Sequence, residues 1–360
     1  MKTRDNGVDL LRILLALMVI TLHYNSSLGQ VQVNTEDLSF NWFFVWFSET
    51  ICICAVNVYV IITGYYSYIG NKDLSYVISK LKSLWLCVVS YSVIEYLVIN
   101  VATGKSIGIS SLLFRFLPIT TGEWWFFSLY FVIYLISPFL NKVIGDFDNR
   151  TLSTVFSICI VVLCIIPQIL LCKDGLGIEN GYSLIWFLFL YGTGAVLAKQ
   201  ESDKQIDRLN NTISYIEKYK GLVLVCCLVV LYGSKICIAL VSNYLWGEVK
   251  YSGLLYSYNS IFVYLAAIAM FFVFKSISIK NNTVGRLIAF VSPLALASYL
   301  FHCQLDFREQ IWPMLECYRY SNEKIMPIMY VMTTIGIFVV AIIIEFIRTN
   351  LLKIIKKTRN

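Results

Sequence analysis

Ten runs of about twenty mostly apolar residues divide this chain, near 8–28, 43–66, 84–102, 124–140, 152–171, 183–198, 221–241, 254–274, 286–303 and 326–347. Inside a bilayer no water satisfies a backbone N–H or C=O, so a run of that length is stable across it only as an α-helix, whose hydrogen bonds close within the segment. The spacing therefore predicts an all-α, polytopic transmembrane bundle of about ten helices. With 58% hydrophobic and 14% charged residues in 360, no soluble fold is needed to explain the composition. The short run 124–140 and the run 183–198, which carries Gly192 and Gly194, give the weakest signals.

Orientation follows from charge. With the N-terminus in the cytoplasm, the inner segments and helix ends hold 21 of the 29 Lys and Arg residues, and the outer side keeps the other eight. A bias of that size in short loops puts both termini inside, as does the even helix count. The opening MKTRDNG is too short and too acidic for a secretory signal, so the first run is expected to remain as a helix. The reading is a membrane domain over 1–350 and a basic cytoplasmic tail over 351–360. The polar inner segment 199–220 reads as a partly helical connector. The outer segments 103–123, 242–253 and 304–325 hold Trp246, Trp312 and several tyrosines suited to interfacial anchoring.

Several chemistries are disfavoured. Eleven cysteines, most of them within apolar runs, are not a disulfide framework. The formal charge of +7 is spread over short loops, so nucleic acid is not an expected partner. No His-x-x-x-His or loop Cys-x-x-Cys occurs, and Cys52 and Cys54 fall on opposite sides of a helix, so no metal site is expected.

Two ionisable residues stand inside the first run, Arg12 and His23. Such side chains are costly in lipid and mark function. Eleven residues apart, they lie within about 20° of one face and about 16 Å apart along the axis. An anionic group held at Arg12 can thus belong to a long molecule whose other end reaches His23. His302, in the segment SYLFHC, comes late in another inside-to-outside run and lies at a similar depth.

An arginine, ten residues and a histidine in a first transmembrane helix resembles the start of the membrane-bound acyltransferase 3 family, bacterial enzymes that O-acylate carbohydrates. The segment VNVYVIITGYYSY at 56–68 is similar to the family's second helix, GEWWFFSLYFVIYLISPFLN at 122–141 to its Trp-aromatic and Ser-Pro helix, and SYLFHC at 298–303 to its late Tyr-x-x-His segment. The chain departs from the family after the second helix: SKLKSLW at 79–85 offers Lys80 and Lys82 and no proline, where relatives commonly carry arginines. Lysine supplies a point charge rather than a bidentate fork. The extracytoplasmic domain of some relatives is not expected here.

The resemblance implies an integral O-acyltransferase of the bacterial inner membrane. It would move an acetyl or other short acyl group from acyl-CoA, a co-substrate rather than a resident cofactor, to a hydroxyl of a surface-polysaccharide or lipid-linked sugar. Acyl transfer needs a base for the hydroxyl proton and donors for the developing oxyanion. His23 is the expected base. Arg12, with Lys80 and Lys82, is the expected holder of the CoA phosphates, and an alternative places Arg12 in a pair with Asp9, three residues earlier. Asn57 inside the second run, Trp124 and Trp125 at the start of the fourth, and His302 are expected at the acceptor, although helix packing and interfacial anchoring remain open for the first three. Glu95 and Glu345 are lone carboxylates in apolar surroundings. A transporter or flippase of a lipid-linked sugar is the alternative function, and it would move substrate without covalent change.

Overall fold

The structure is a computed structural model that describes residues 5–170, 176–202 and 208–359, and no β-strand occurs among the described residues. Among the described residues ten principal helices carry the chain: α1 (Asn6–Asn25), α2 (Phe40–Gly70), α3 (Leu74–Ala102), α4 (Trp125–Asp146), α5 (Asn149–Ile169), α6 (Leu184–Ser202), α7 (Lys220–Trp246), α8 (Ile261–Lys275), α9 (Asn282–Cys303) and α10 (Met326–Arg359). Each overlaps one of the ten predicted runs, although the eighth begins at Ile261 rather than at 254, residues 254–260 forming turns ahead of it. Eight of them are long and apolar enough to cross a membrane, so the chain is an integral, polytopic helical membrane protein. The two outside that set are α8, of 15 residues, and α6, whose last turn is the polar Lys199-Gln200-Glu201-Ser202.

Local chemistry sets the ends. Asp5 caps α1 by accepting from Val8 N at 3.1 Å, and Asn281 caps α9 by accepting from the amides of Thr283 and Val284. Each satisfies donors that the first turn of a helix leaves orphaned. Part of the polar connector is helical, over Arg208–Lys218, while residues 203–207 lie outside the described residues. Helix α10 runs to Arg359 without a break near 350.

The chain divides into two compact units, and α2 and α3 each contribute to both. The first comprises residues 1–52, 87–124 and 277–360. Its core is the inner face of α1, with Ala16, Ile20 and Tyr24 packed on Val45 of α2 and on Tyr330, Ile337 and Phe338 of α10. The second comprises residues 53–86 and 125–276.

The two glycines that weakened the sixth run turn out to be a packing device. A Cβ on Gly194 would stand 2.1 Å from Ile61 O, and one on Gly64 would stand 2.0 Å from Tyr191 O, so only glycine lets α2 and α6 approach this closely. Lipid does not squeeze helices together as water does, and small residues that admit dispersion contact between backbones take over that task. Lys199 Nζ then donates to the carbonyls of Ile144 and Gly145, at 2.9 and 3.1 Å, satisfying acceptors at the end of α4.

Candidate functional site

The first unit brings the chain's two histidines into contact. His23 lies in the last turn of α1 and is partly buried. His302 lies in the last turn of α9 and is fully buried. A 3-10 turn at Ser292–Leu294, built on Pro293, interrupts α9 and starts its final segment, Leu296–Cys303, afresh. Nδ1 of His302 is bonded to the carbonyl of Ser298 one turn earlier. A carbonyl only accepts, so that nitrogen carries the hydrogen, and in the neutral ring Nε2 keeps its lone pair. His302 Nε2 stands 2.8 Å from His23 Nδ1. The His23 Nδ1–H therefore donates to His302, and the lone pair of His23 is left on Nε2. One backbone carbonyl thus fixes the tautomer of both rings in sequence.

Cys303 Sγ is the second neighbour of His23 Nδ1, at 3.4 Å. The ligand atoms of His23, His302 and Cys303 lie within 4.8 Å of one another. Two imidazoles and a thiol form a donor set of the kind that borderline cations such as zinc accept. No sequence spacing pointed to this trio, because it is assembled by the packing of α1 on α9.

The chain just after Cys303 is locked by buried charges. Arg115 pairs with Glu123 Oε1 at 3.1 Å and with Asp306 Oδ2 at 2.7 Å. Asp306 also accepts from Asn100 Nδ2 at 3.0 Å and from Gln304 Nε2 at 2.8 Å, while Glu123 accepts from Ser92 Oγ at 2.7 Å and from Leu305 N at 3.3 Å. Arg115 also faces the Tyr96 ring at 5.0 Å. Burial pushes the Glu123 carboxyl up, against the pull of the Ser92 hydroxyl and the Arg115 guanidinium. Glu95 is buried near one end of this chemistry, and neither of its oxygens has a hydrogen-bond partner among the described residues. A buried ion network is a poor source of net stability, because desolvation offsets much of the attraction. What it does supply here is direction, since two of its bonds hold Gln304 and Leu305, the residues that follow the site.

Sequence reading missed Arg115, Glu123 and Asp306. The signal was indirect: Glu123 directly precedes the Trp-Trp pair, and Asp306 follows His302 by four residues. Their pairing joins residues 191 apart, which no local pattern displays.

The other expected residues fall as follows. Arg12 is paired with Asp9 at 2.9 Å, as the alternative reading had it, with the guanidinium side chain 34% exposed and the carboxylate 3%. Asp9 also accepts from Ser292 Oγ at 3.0 Å, which ties the start of α1 to the turn in α9. Trp124 is fully buried and its indole donates to Leu300 O at 3.2 Å, against the same final segment of α9 that carries His302. These three and His23 belong to the first unit, whereas Asn57, Lys80, Lys82 and Trp125 belong to the second. Lys80 and Lys82 are exposed, and Lys80 sits over the Tyr76 ring at 5.8 Å. Asn57 is fully buried; its Nδ2 donates to Tyr258 O at 2.7 Å and its Oδ1 accepts from Trp186 Nε1 at 3.1 Å. Trp125 packs on Tyr182, Phe187 and Tyr258. Of the lone carboxylates, Glu345 is engaged by Arg348 at 2.7 Å and by Tyr91 Oη at 3.0 Å.

Over residues 5–347 the chain matches the acyltransferase 3 family, described as an acyltransferase domain. No curated protein and no solved structure matches it.

Proposed function

Since the chain belongs to the acyltransferase 3 family, we propose that this integral membrane acyltransferase moves an acetyl or other short acyl group from acyl-CoA to a hydroxyl of a surface-polysaccharide or lipid-linked sugar, with His23 as general base. The bias of basic residues supports both termini in the cytoplasm, and the family resemblance supports a bacterial inner membrane.

The observation that carries the assignment is the His23–His302 bond at 2.8 Å, with His302 itself held by the Ser298 carbonyl. It leaves His23 Nε2 as the basic nitrogen and fixes the ring plane. As the acceptor oxygen attacks the thioester carbon, Nε2 takes the hydroxyl proton, and the His302 lone pair stabilises the imidazolium that forms. Collapse of the tetrahedral intermediate expels the CoA thiolate, and the same proton passes to it. The products are an O-acyl sugar and free CoA. His302 acts through His23 and is a positioning residue. Arg12, already oriented by Asp9, offers its guanidinium to the CoA phosphates. Its tie through Asp9 to Ser292 supports a donor site in register with α9. Lys80 and Lys82 are exposed cations suited to an auxiliary electrostatic role.

The test uses membranes bearing the intact protein or His23→Ala, incubated with radiolabelled acetyl-CoA and the host's lipid-linked glycans. Base-labile label is expected on glycan with the intact protein and reduced about 10²–10⁴-fold in the variant, the usual contribution of a general base. Equal labelling by both at equal abundance would remove His23 from the chemistry. Glycan movement across the membrane without label would instead support a flippase.

A further inference from the structure

His23, His302 and Cys303 bring three ligand atoms within 4.8 Å of one another, all inside the first unit. The acyl-transfer reading uses His23 Nε2 and leaves the other side of that ring, where Nδ1 meets His302 Nε2 at 2.8 Å and Cys303 Sγ at 3.4 Å. Transfer needs a hydrogen-bond acceptor at Nδ1. It does not need a thiol beside it.

The spacing is close to that of a coordination shell. A tetrahedral zinc ion makes Zn–N bonds of about 2.0–2.1 Å and a Zn–S bond of about 2.3 Å, which sets two nitrogens about 3.3 Å apart and nitrogen and sulfur about 3.6 Å apart. The separation of 3.4 Å between Cys303 Sγ and His23 Nδ1 already lies near that value. The two nitrogens, at 2.8 Å, have to part by about half an ångström to admit the ion.

The ligands are also supported from behind. His302 Nδ1–H is bonded to the Ser298 carbonyl, the outer bond that a metal-bound imidazole ordinarily makes, and Nε2 is left as the ligand nitrogen. The His302 carbonyl accepts from Trp312 Nε1 at 2.9 Å, and Leu305 N, two residues after Cys303, donates to Glu123 Oε1 at 3.3 Å. Glu95 is buried with no hydrogen-bond partner for either oxygen among the described residues, and it lies within electrostatic reach of Cys303, where an ionised carboxylate favours a bound cation. Arg308 lies within the same reach and opposes one. His23 is the partly exposed member of the trio and stands late in an inside-to-outside helix, so an ion arrives from the outer side.

We propose that these three side chains form an inhibitory site for a single divalent ion of borderline softness, with zinc the best-matched case. The ion takes His23 Nδ1, His302 Nε2 and the Cys303 thiolate, and a water fills the fourth position. Binding releases the thiol proton to solvent, and His23 exchanges the hydrogen on Nδ1 for one on Nε2. The net change is one proton lost per ion bound, and no electron moves. Nε2, the nitrogen that takes the hydroxyl proton in acyl transfer, then already carries a hydrogen. A neutral imidazole cannot be a ligand at Nδ1 and a base at Nε2 at once. Zinc thus undoes the proton arrangement that the Ser298 carbonyl imposes, and transfer becomes responsive to zinc on the outer side. The metal site stands on geometry; only the inhibition rests on the acyl-transfer reading.

The test treats the two separately. Full-length protein in nanodiscs, kept reduced and stripped of metal, is titrated with cobalt(II), which reports a thiolate ligand by a charge-transfer band in the near ultraviolet. The band is expected in the wild type and in Cys317→Ser, a second buried cysteine of the same unit, and is expected to vanish in Cys303→Ser. In the transfer assay, zinc is expected to lower the wild-type rate about tenfold or more, with recovery on adding EDTA, and Cys303→Ser is expected to need about tenfold more zinc for the same inhibition. Transfer by Cys303→Ser without zinc shows that it is folded, and Cys303→Ala replaces it if that activity is lost. Absence of the band in the wild type, or a band that Cys303→Ser keeps, would overturn the site. Zinc inhibition that Cys303→Ser leaves unchanged would overturn it too, since the ion would then act elsewhere. Cobalt held through Cys303 with transfer insensitive to zinc would overturn the inhibitory role. Cobalt held through Cys303 in a protein that transfers no acyl group would support the metal site and remove the catalytic reading, and the inhibition with it.

Discussion

The two units solve the problem of keeping polar groups in a membrane protein in opposite ways. The first buries carboxylates and answers them with cations: Glu123 and Asp306 with the buried Arg115, Glu345 with Arg348, and Asp9 with a partly exposed Arg12. The second is knit by close glycine approach between α2 and α6 and by neutral amides whose bonds go to backbone and indole, and its buried Lys199 is answered by backbone carbonyls rather than by a carboxylate. Charge fixes direction strongly but at a high desolvation cost, and it stands where two rings must meet nitrogen to nitrogen. Neutral amides and aromatic packing are less directional and carry a smaller desolvation cost. The difference teaches that the histidine pair stands in the unit where buried charges are answered by opposite charges.

The comparison breaks or sharpens first at Arg115. Arg115→Met leaves Glu123 and Asp306 buried without their cation and is expected to cost about 3–5 kcal/mol of stability, seen as a lower midpoint of unfolding in mixed detergent. An unchanged midpoint would mean that the network is not structural. The next effect is on rate. His302→Phe keeps the buried ring volume but removes the acceptor of the His23 Nδ1–H, and kcat is expected to fall about 10–100-fold at unchanged acyl-CoA KM, as when the partner that orients a functional imidazole is lost. A rise in acyl-CoA KM alone would place His302 with the donor instead. In the second unit, Gly194→Ala forces a methyl group to 2.1 Å from Ile61 O and is expected to cost about 1–3 kcal/mol, read by the same unfolding midpoint. Stability equal to wild type would show that α2 and α6 have room to separate. The smallest effect is expected at Cys303→Ser, where the sulfur is only the second neighbour of His23 Nδ1; kcat should change by less than about threefold. A large loss there would make the thiol a participant.

The helices were legible because length and hydropathy are local properties, and all ten runs became helices. Gly192 and Gly194 read as interruptions because their use depends on a partner helix that sequence alone does not place. Arg12 with Asp9 was visible as neighbours on one helical face. For His23 and His302 a common depth could be read, whereas their contact depends on how α1 packs on α9, 279 residues away in the chain. The same distance hid the Arg115 network and the trio with Cys303. Asn57 was expected at the acceptor because an amide in an apolar run needs a partner, and it has two, Trp186 and the carbonyl of Tyr258. That second bond holds the backbone of Tyr258 in place.

The measurement that bears most directly on the central claim is a double-mutant cycle on acyl transfer with His23→Ala, His302→Phe and the two together. If His302 works only by fixing and stabilising the His23 ring, the double variant is expected to be no slower than His23→Ala alone. Losses that multiply would contradict the account, because His302 would then act on the reaction by a route that does not pass through His23.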